Sequence, residues 1–531
     1  MLKKIFLTNS LGILCSRIFG FLRDLMMANI LGAGLYSDIF FVAFKLPNLF
    51  RRIFAEGSFS QSFLPSFIRS SIKGSFASLV GLIFCSVLLI WCLLVALNPL
   101  WLTKLLAYGF DEETLKLCAP IVAINFWYLL LVFITTFLGA LLQYKHSFFA
   151  SAYSASLLNL CMILALFVSK EKTHLEALYY LSYGVLLGGV AQILFHFYPL
   201  VKLGLWALLW KGFLSFKTKN ALKKKYRSQR VKKDLKAFFK QFLPSVLGNS
   251  SAQVASFLDT TIASFLASGS VSYLYYANRV FQLPLALFAI AISTALFPSI
   301  AIALKNNQQD LILQRLQKAW FFLVGVLLLC SIGGIMLSKE ITELLFERGQ
   351  FSPKDTLITS QVFSLYLLGL LPFGLTKLFS LWLYAKLEQK KAAKISLISL
   401  FLGLAASLSL MPLLGVLGLA LAISLRGLFF LVLTIRAFGF HPFLGIITNV
   451  KVWIGFFFLG VLGFFFGFFF FFFFLLVLSI KSFGFLPFLG IIKNLKLWLV
   501  ILFLACVEIL LLLAFKSWVT HLYLFYYFQG F

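Results

Sequence analysis

Residues 33–67, AGLYSDIFFVAFKLPNLFRRIFAEGSFSQSFLPSF, decide how the rest of the chain is read. The stretch is apolar enough to enter a bilayer, yet it holds Asp38, Lys45, Arg51, Arg52 and Glu56. Ionisable groups at that depth face a bundle interior or a water-filled cavity, because hydrocarbon cannot solvate them. On one continuous helix Asp38, Lys45, Arg52 and Glu56 share a face, since steps of seven and four residues return close to the same azimuth. Pro47 removes one backbone hydrogen bond and predicts a kink about a turn earlier, near Phe41 to Phe44. A short amphipathic surface helix with interfacial charges is the plainer reading, and the preceding segment argues against it. Residues 5–31 are another long apolar run with Ser16, Arg17, Arg23 and Asp24 inside it. Arg17 and Asp24 lie seven apart on one face, where they can pair. Two consecutive spans therefore carry net positive charge inside the membrane. Arginine suits a phosphate partner there, because its planar fork donates bidentate, charge-assisted bonds and stays ionised when partly desolvated.

Composition sets the class. The chain has 531 residues, 61% of them hydrophobic and only 12% charged, with a mean hydropathy of +0.99. That excludes a soluble domain and fits a polytopic all-α membrane protein. A formal net charge of +29 would suggest nucleic acid in a soluble protein. Here the basic residues cluster in alternate loops, as cytoplasmic loops do, and no nucleic-acid partner is expected. Spans are expected near 5–31, 36–56, 76–100, 119–143, 148–169, 175–202 and 241–266, then near 271–303, 316–338, 356–386, 392–411, 414–436, 452–480 and 497–518. That is about fourteen helices. The longest basic loop, between Lys211 and Lys240, follows six crossings, and with Lys3 and Lys4 it places the N-terminus in the cytoplasm. The loops between these basic ones instead hold Asp111, Glu112, Glu113, Glu171, Glu340, Glu343, Glu347 and Asp355. The basic loop reads as a topology determinant near anionic lipid.

The second half echoes the first. Lys45-Leu46-Pro47 followed by Pro65-Ser66 resembles Gln282-Leu283-Pro284 followed by Pro298-Ser299, at offsets of 237 and 233 residues. Two pseudo-symmetric six-helix lobes around a central cationic cavity are the expectation. The corresponding segments are a first lobe at 1–203, a basic loop at 204–240, a second lobe at 241–437 and a C-terminal region at 438–531. The second half adds Asp259, Arg279, Lys377 and Arg426 as intramembrane charges. Ser268-Gly269-Ser270 can make a tight turn, which sets Arg279 about two turns into the next span, facing the first-half arginines. Asp259, with Thr260 and Thr261 beside it, can ligate a hard cation through oxygens or pair with an arginine. The seven cysteines show no C-x-x-C spacing and the five histidines no metal-ligand spacing, so no metal or cofactor is expected.

Several of these residues carry a resemblance. Ser16-Arg17 with Gly20 and Arg23-Asp24, Ser37-Asp38 through PNLFRRIFAEGSFSQSFLPSF, ASFLASGSVSYLYYANR, and LFERGQF at 345–351 are similar to the MurJ/MviN family of lipid II flippases. That family lies within the multidrug, oligosaccharidyl-lipid and polysaccharide exporter superfamily. The resemblance covers about residues 5–436. It implies a monomeric transporter of the bacterial cytoplasmic membrane rather than an enzyme, its partners being lipid II and the bilayer. Its expected task is to move undecaprenyl-pyrophosphate-linked disaccharide pentapeptide from the inner to the outer leaflet for peptidoglycan assembly. The expected cavity residues are Arg17, Arg23, Asp38, Lys45, Asn48, Arg51, Arg52, Arg279 and Lys377, with Asp24, Glu56, Ser268, Gly269 and Ser270 in gating or charge pairing and Asp259 as a candidate cation site. Dependence is expected on the membrane potential or on a monovalent cation, although this chain offers only serines, such as Ser396 and Ser399, where sodium-coupled members supply Asn and Asp. The alternatives are an exporter of the same fold for another polyprenyl-linked saccharide or drug, and a polyprenyl-phosphate enzyme, which would need an acidic metal cluster that the sequence lacks.

The C-terminal region is unusual. FGFHPFLGIITNVKVW at 438–453 recurs as FGFLPFLGIIKNLKLW at 483–498, with a nearly pure phenylalanine run at 464–474 between them. This reads as a tandem duplication. It puts Lys481, Lys493 and Lys496 on the side opposite to the first copy if 452–480 crosses once.

Overall fold

A computed structural model of the chain describes residues 2–53, 59–215 and 221–447, and every regular element in them is helical. The second duplicate and the phenylalanine run lie outside the described residues, as does Glu56. Among the described residues, eight helical runs are long and apolar enough to cross a membrane: Lys73–Leu97, Glu112–Tyr144, Phe149–Val168, His174–Lys202, Ser270–Lys305, Gln309–Met336, Pro353–Ala385 and Gln389–Phe438. Large apolar side chains such as Ile90, Leu94, Leu187 and Leu194 stand exposed on these runs, as they would against lipid. The chain is therefore an all-α polytopic membrane protein.

Helix α1 (Leu2–Leu31) turns at Gly32 into α2 (Leu35–Ile53). Pro47 does not end α2, which continues for six more residues. Between the expected spans 36–56 and 76–100 the chain forms α3 (Phe59–Arg69). The reason is a ladder of Phe59, Phe63 and Phe67, four residues apart and so on one helix face. All three are fully buried. Phe59 stacks on Phe63 at 5.2 Å and Phe63 on Phe67 at 5.5 Å. Their edges meet Phe133 of α7 (Tyr128–Tyr144) and Phe238 of α11 (Ala221–Ala263). Aromatic pairs of this kind add to the burial energy by roughly 0.5–1.5 kcal/mol each.

Between these lie α4 (Lys73–Leu97), the short α5 (Pro99–Leu106), α6 (Glu112–Phe126), α8 (Phe149–Val168), α9 (His174–Lys202) and α10 (Leu205–Leu214). Asp111 caps α6 by accepting from the Thr114 N–H at 3.2 Å, and Thr173 with Glu176 forms a capping box at α9. Helices α8 and α9 pack closely, α1 lies on α8, and α2 lies on α6. A Cβ on Gly188 would come within 2.9 Å of the Leu158 backbone, so glycine is what lets α9 approach α8. The basic segment expected as a loop is instead helical from Ala221, continuous with the apolar stretch that ends at Ala263.

The remaining helices are α12 (Ser270–Pro284), a π-helical turn at Leu285–Ile290, α13 (Ala291–Lys305), α14 (Gln309–Met336), α15 (Ser338–Phe346), α16 (Pro353–Leu368), α17 (Leu370–Ala385), α18 (Gln389–Phe438) and α19 (Phe440–Ile447). The π turn follows Pro284, which cannot donate to the regular ladder. Gly415, at φ 57° and ψ −130°, breaks α18 into two helical stretches, close to the gap that the sequence places between 411 and 414. Helix α11 touches α2, α3 and α4 on one side and α18 on the other.

Candidate functional site

Helix α1 buries Arg23 and Asp24, with 9% and 0% of their surface exposed. The Arg23 guanidinium folds back on its neighbour, Nε at 3.0 Å and Nη2 at 2.5 Å from Asp24 Oδ1. It also donates to Asn159 Oδ1 of α8 and to the Tyr275 hydroxyl of α12, each at 3.0 Å. Tyr275 in turn donates to Asp24 Oδ1 at 3.1 Å. The second carboxylate oxygen lies 2.6 Å from Arg279 Nε. Tyr275 and Arg279 are four residues apart on α12, so one helix face delivers both. The cluster is thus one carboxylate between two guanidiniums, with a net positive charge. Arg23 is fully committed, whereas the Arg279 side chain keeps 30% exposure. Gly20 makes room for it: a Cβ there would sit 2.7 Å from Arg279 Nη2.

A second constellation closes the end of the bundle where α1 turns into α2. Asp38 accepts from the N–H groups of Gly269 and Ser272 at 2.7 Å each, and from the Ser272 hydroxyl. A carboxylate from α2 therefore occupies the N-terminus of α12, where free N–H groups and the helix dipole favour negative charge. Gly269 has φ +93° and a Cβ on it would meet the Ala33 carbonyl at 2.6 Å. Around this contact Gln350 N–H donates to Asn29 O at 2.9 Å, and the Tyr273 hydroxyl to Asp355 Oδ1 at 2.8 Å. Asp355 is itself part of the capping box of α16 with Ser352.

Deeper on α2, Lys45 donates to Ser256 of α11 at 2.9 Å, Arg51 to Asn48 at 3.0 Å and Arg52 to Gln253 of α11 at 3.4 Å. Asp259, one turn beyond Ser256, accepts two parallel bonds from Arg426 of α18, at 2.9 and 2.8 Å. Of the two roles open to Asp259, the arginine pair is the one that forms. Among the described residues no group of three or more His, Cys, Asp or Glu is placed to hold a metal ion.

Several expectations need correction. Arg17 does not pair with Asp24; it is exposed, while Arg23 and Arg279 are the guanidiniums in ion-pair contact with the carboxylate. Seven residues along a helix is a rise of about 10 Å, which nearer guanidiniums outcompete. Asp38 does not stand free on a cavity wall but caps α12. Ser268 is exposed, and the hydroxyl that meets Asp38 belongs to Ser272. Lys377 is exposed on α17, which its expected place on the cavity wall allows. Sequence reasoning missed Asn159 and Tyr275; a lone asparagine in an apolar helix, and a tyrosine one turn before an intramembrane arginine, were the available signals.

The family model described as "Lipid II flippase MurJ" matches residues 27–471. The chain belongs to the MurJ family. A probable lipid II flippase MurJ from Helicobacter pylori strain 26695 is 86% identical over 506 residues, covering 95% of this chain and all of that protein. Its counterpart from Buchnera aphidicola of Schizaphis graminum is 32% identical, covering 74% of this chain and 75% of its own. Among solved structures, a lipid II flippase MurJ in an inward closed conformation superposes with a TM-score of 0.69 at 25% identity, covering 95% of this chain and 99% of that one. An inward-facing MATE family transporter of the MOP superfamily shares the fold alone, with a TM-score of 0.62 at 14% identity over 81% of this chain. MurJ family proteins are transporters.

Proposed function

We propose that this protein moves lipid II, the undecaprenyl-pyrophosphate-linked peptidoglycan precursor, from the inner to the outer leaflet of the bacterial cytoplasmic membrane by alternating access. The observation that carries the reading is Arg279, held by Asp24 beside buried Arg23 yet still partly exposed. A pyrophosphate is an acceptor for such guanidinium forks, and taking it through hydrocarbon unaided would be very costly. The cationic surface then comprises Arg17, Arg51, Arg52, Lys45 with Asn48, Arg279 and Lys377, with buried Arg23 adding positive charge behind Arg279. The prenyl tail stays in the bilayer.

The architecture we attach to this function is about fourteen spans in two pseudo-symmetric six-helix lobes, 1–203 and 241–437, joined by the basic segment 204–240 and followed by a final pair in 438–531. With the N-terminus cytoplasmic, the end capped by Asp38 faces outward, so the described conformation is closed to the outside. The similarity to an inward closed relative supports this. Release of Asp38 from Gly269 and Ser272, on an element that also carries Arg279, would open the outer end and move the pyrophosphate site together. The protein works as a monomer. Because the cavity is positive, a potential negative inside favours return of the empty site, each whole charge crossing 100 mV being worth about 2.3 kcal/mol.

The test is replacement of the essential lipid II flippase in a depletion strain by this chain, alongside Arg279→Ala and Arg51→Ala variants at equal expression. Growth with the parent and lysis with the variants is expected. Growth with Arg279→Ala would remove the proposed site.

A further inference from the structure

A cavity of about 480 Å³ lies on a different side of α2 from the charged groups, and every described residue that lines it is aliphatic or aromatic. Leu46 and Phe50 of α2 contribute to its wall, interleaved in sequence with Lys45, Asn48 and Arg51. Phe84 of α4 and Phe126 of α6 also border it. Its remaining side is made by Val87 and Trp91 of α4 and by Trp101 and Leu105 of α5, exposed by 48, 47, 39 and 60%. Those residues lie on or beside a membrane-spanning helix, so the medium at the mouth is lipid.

We propose that this cavity binds an acyl chain of a bilayer phospholipid. Its size falls in the range of ligand pockets, roughly 300–1,000 Å³. Among the described residues no polar group lines it to hold a headgroup or a sugar, and apolar cavities of this kind exclude water and take apolar guests. The Trp91 and Trp101 rings lie 6.3 Å apart at the mouth, in the manner of an interfacial aromatic belt. Exposed Lys104 adjoins Leu105 on α5 and supplies a cation for the phosphate that follows the chain. The occupant touches α2 on Leu46 and Phe50, so it braces the helix that carries Lys45, Arg51 and Arg52. The site is separate from the Arg23, Asp24 and Arg279 cluster and does not depend on what that cluster transports.

The full chain is reconstituted in vesicles containing a phosphatidylethanolamine with a diazirine midway along one acyl chain, irradiated, digested and mapped by mass spectrometry. Adducts are expected to concentrate on the peptides holding Leu46–Phe50 and Phe84–Trp91, severalfold above those on lipid-facing Leu187 and Leu194 of α9. Val87→Trp, at the exposed mouth, should cut the first group severalfold and leave the α9 adducts unchanged. Thermal unfolding in detergent checks that the variant is folded, and Leu105→Trp serves the same purpose should Val87→Trp fail to fold. Uniform labelling of α4 and α9, or α4 labelling that neither variant reduces, overturns the proposal. So does labelling of the pocket by a diazirine-bearing polyprenyl phosphate but not by the phospholipid.

Discussion

Arg279 Nε lies 2.6 Å from Asp24 Oδ2, tying α12 to α1 across 255 residues of chain. Arg23 holds the other oxygen of the same carboxylate. The pairing stores a cation where an anion can reach it, while the buried carboxylate keeps two guanidiniums from repelling each other.

Asp24→Asn should therefore harm the fold more than Arg279→Gln. It leaves two guanidiniums facing a neutral amide, one of them buried, and breaking such a pair costs roughly 3–5 kcal/mol. Thermal unfolding of the two purified variants in detergent measures this. Equal midpoints would show that the ion pairs contribute nothing net.

Tyr275→Phe isolates the hydroxyl. The ring stays stacked on Phe41, whose centroid is 3.8 Å away, while the bonds to Arg23 and Asp24 disappear. A hydrogen bond to a charged group is worth about 1.5–3 kcal/mol. A fall in stability of that order with retained complementation is expected, and a non-complementing but fully stable variant would instead place the hydroxyl in substrate contact.

Asp38→Ala removes the carboxylate that caps α12 and leaves the Gly269 and Ser272 N–H groups without their acceptor. The outer end should open more often. In a background with all native cysteines replaced by serine, Asn48→Cys should react with a membrane-impermeant maleimide from outside severalfold faster when Asp38 is alanine. Unchanged labelling would mean that the contact does not gate access.

Asp259 has both oxygens engaged by Arg426. An internal guanidinium thus occupies the carboxylate that would otherwise attract a free cation, and transport should be unaltered when sodium is exchanged for potassium or choline. The pair is about one-sixth exposed on each side, so Arg426→Gln alone should destabilise by several kcal/mol, and Asp259→Asn added to it should restore much of the loss. A sodium-dependent flux would contradict this assignment.

Much of this was legible in the residues. Charges inside apolar runs marked α1, α2 and α12, because hydrocarbon tolerates ions only where protein or water solvates them. The chain also carried the motifs of its family. What stayed hidden depends on three-dimensional proximity. The turn at 268–270 set Arg279 facing the first-half arginines, but nothing marked Asp24 as the carboxylate that joins it to Arg23, and Arg17 was the better match to Asp24 on spacing alone. Asp38 read as a cavity charge because its partners are backbone N–H groups of a distant helix, which no side-chain pattern announces. Helix α3 falls between the expected spans 36–56 and 76–100, too short to read as a crossing, and its Phe59, Phe63 and Phe67 ladder is stabilised only once Phe133 and Phe238 arrive.

The central claim, that Arg279 presented by Asp24 receives the pyrophosphate of lipid II, is tested most directly by flux. The full chain is reconstituted in vesicles with fluorescent lipid II in both leaflets, and a membrane-impermeant quencher reports how fast the inner pool reaches the outside. The account predicts rapid exchange for the parent chain, at least a tenfold slower rate for Arg279→Ala, and no effect of either on a fluorescent phosphatidylcholine. Equal lipid II rates for the parent and Arg279→Ala, in variants shown to be folded and inserted, would contradict it.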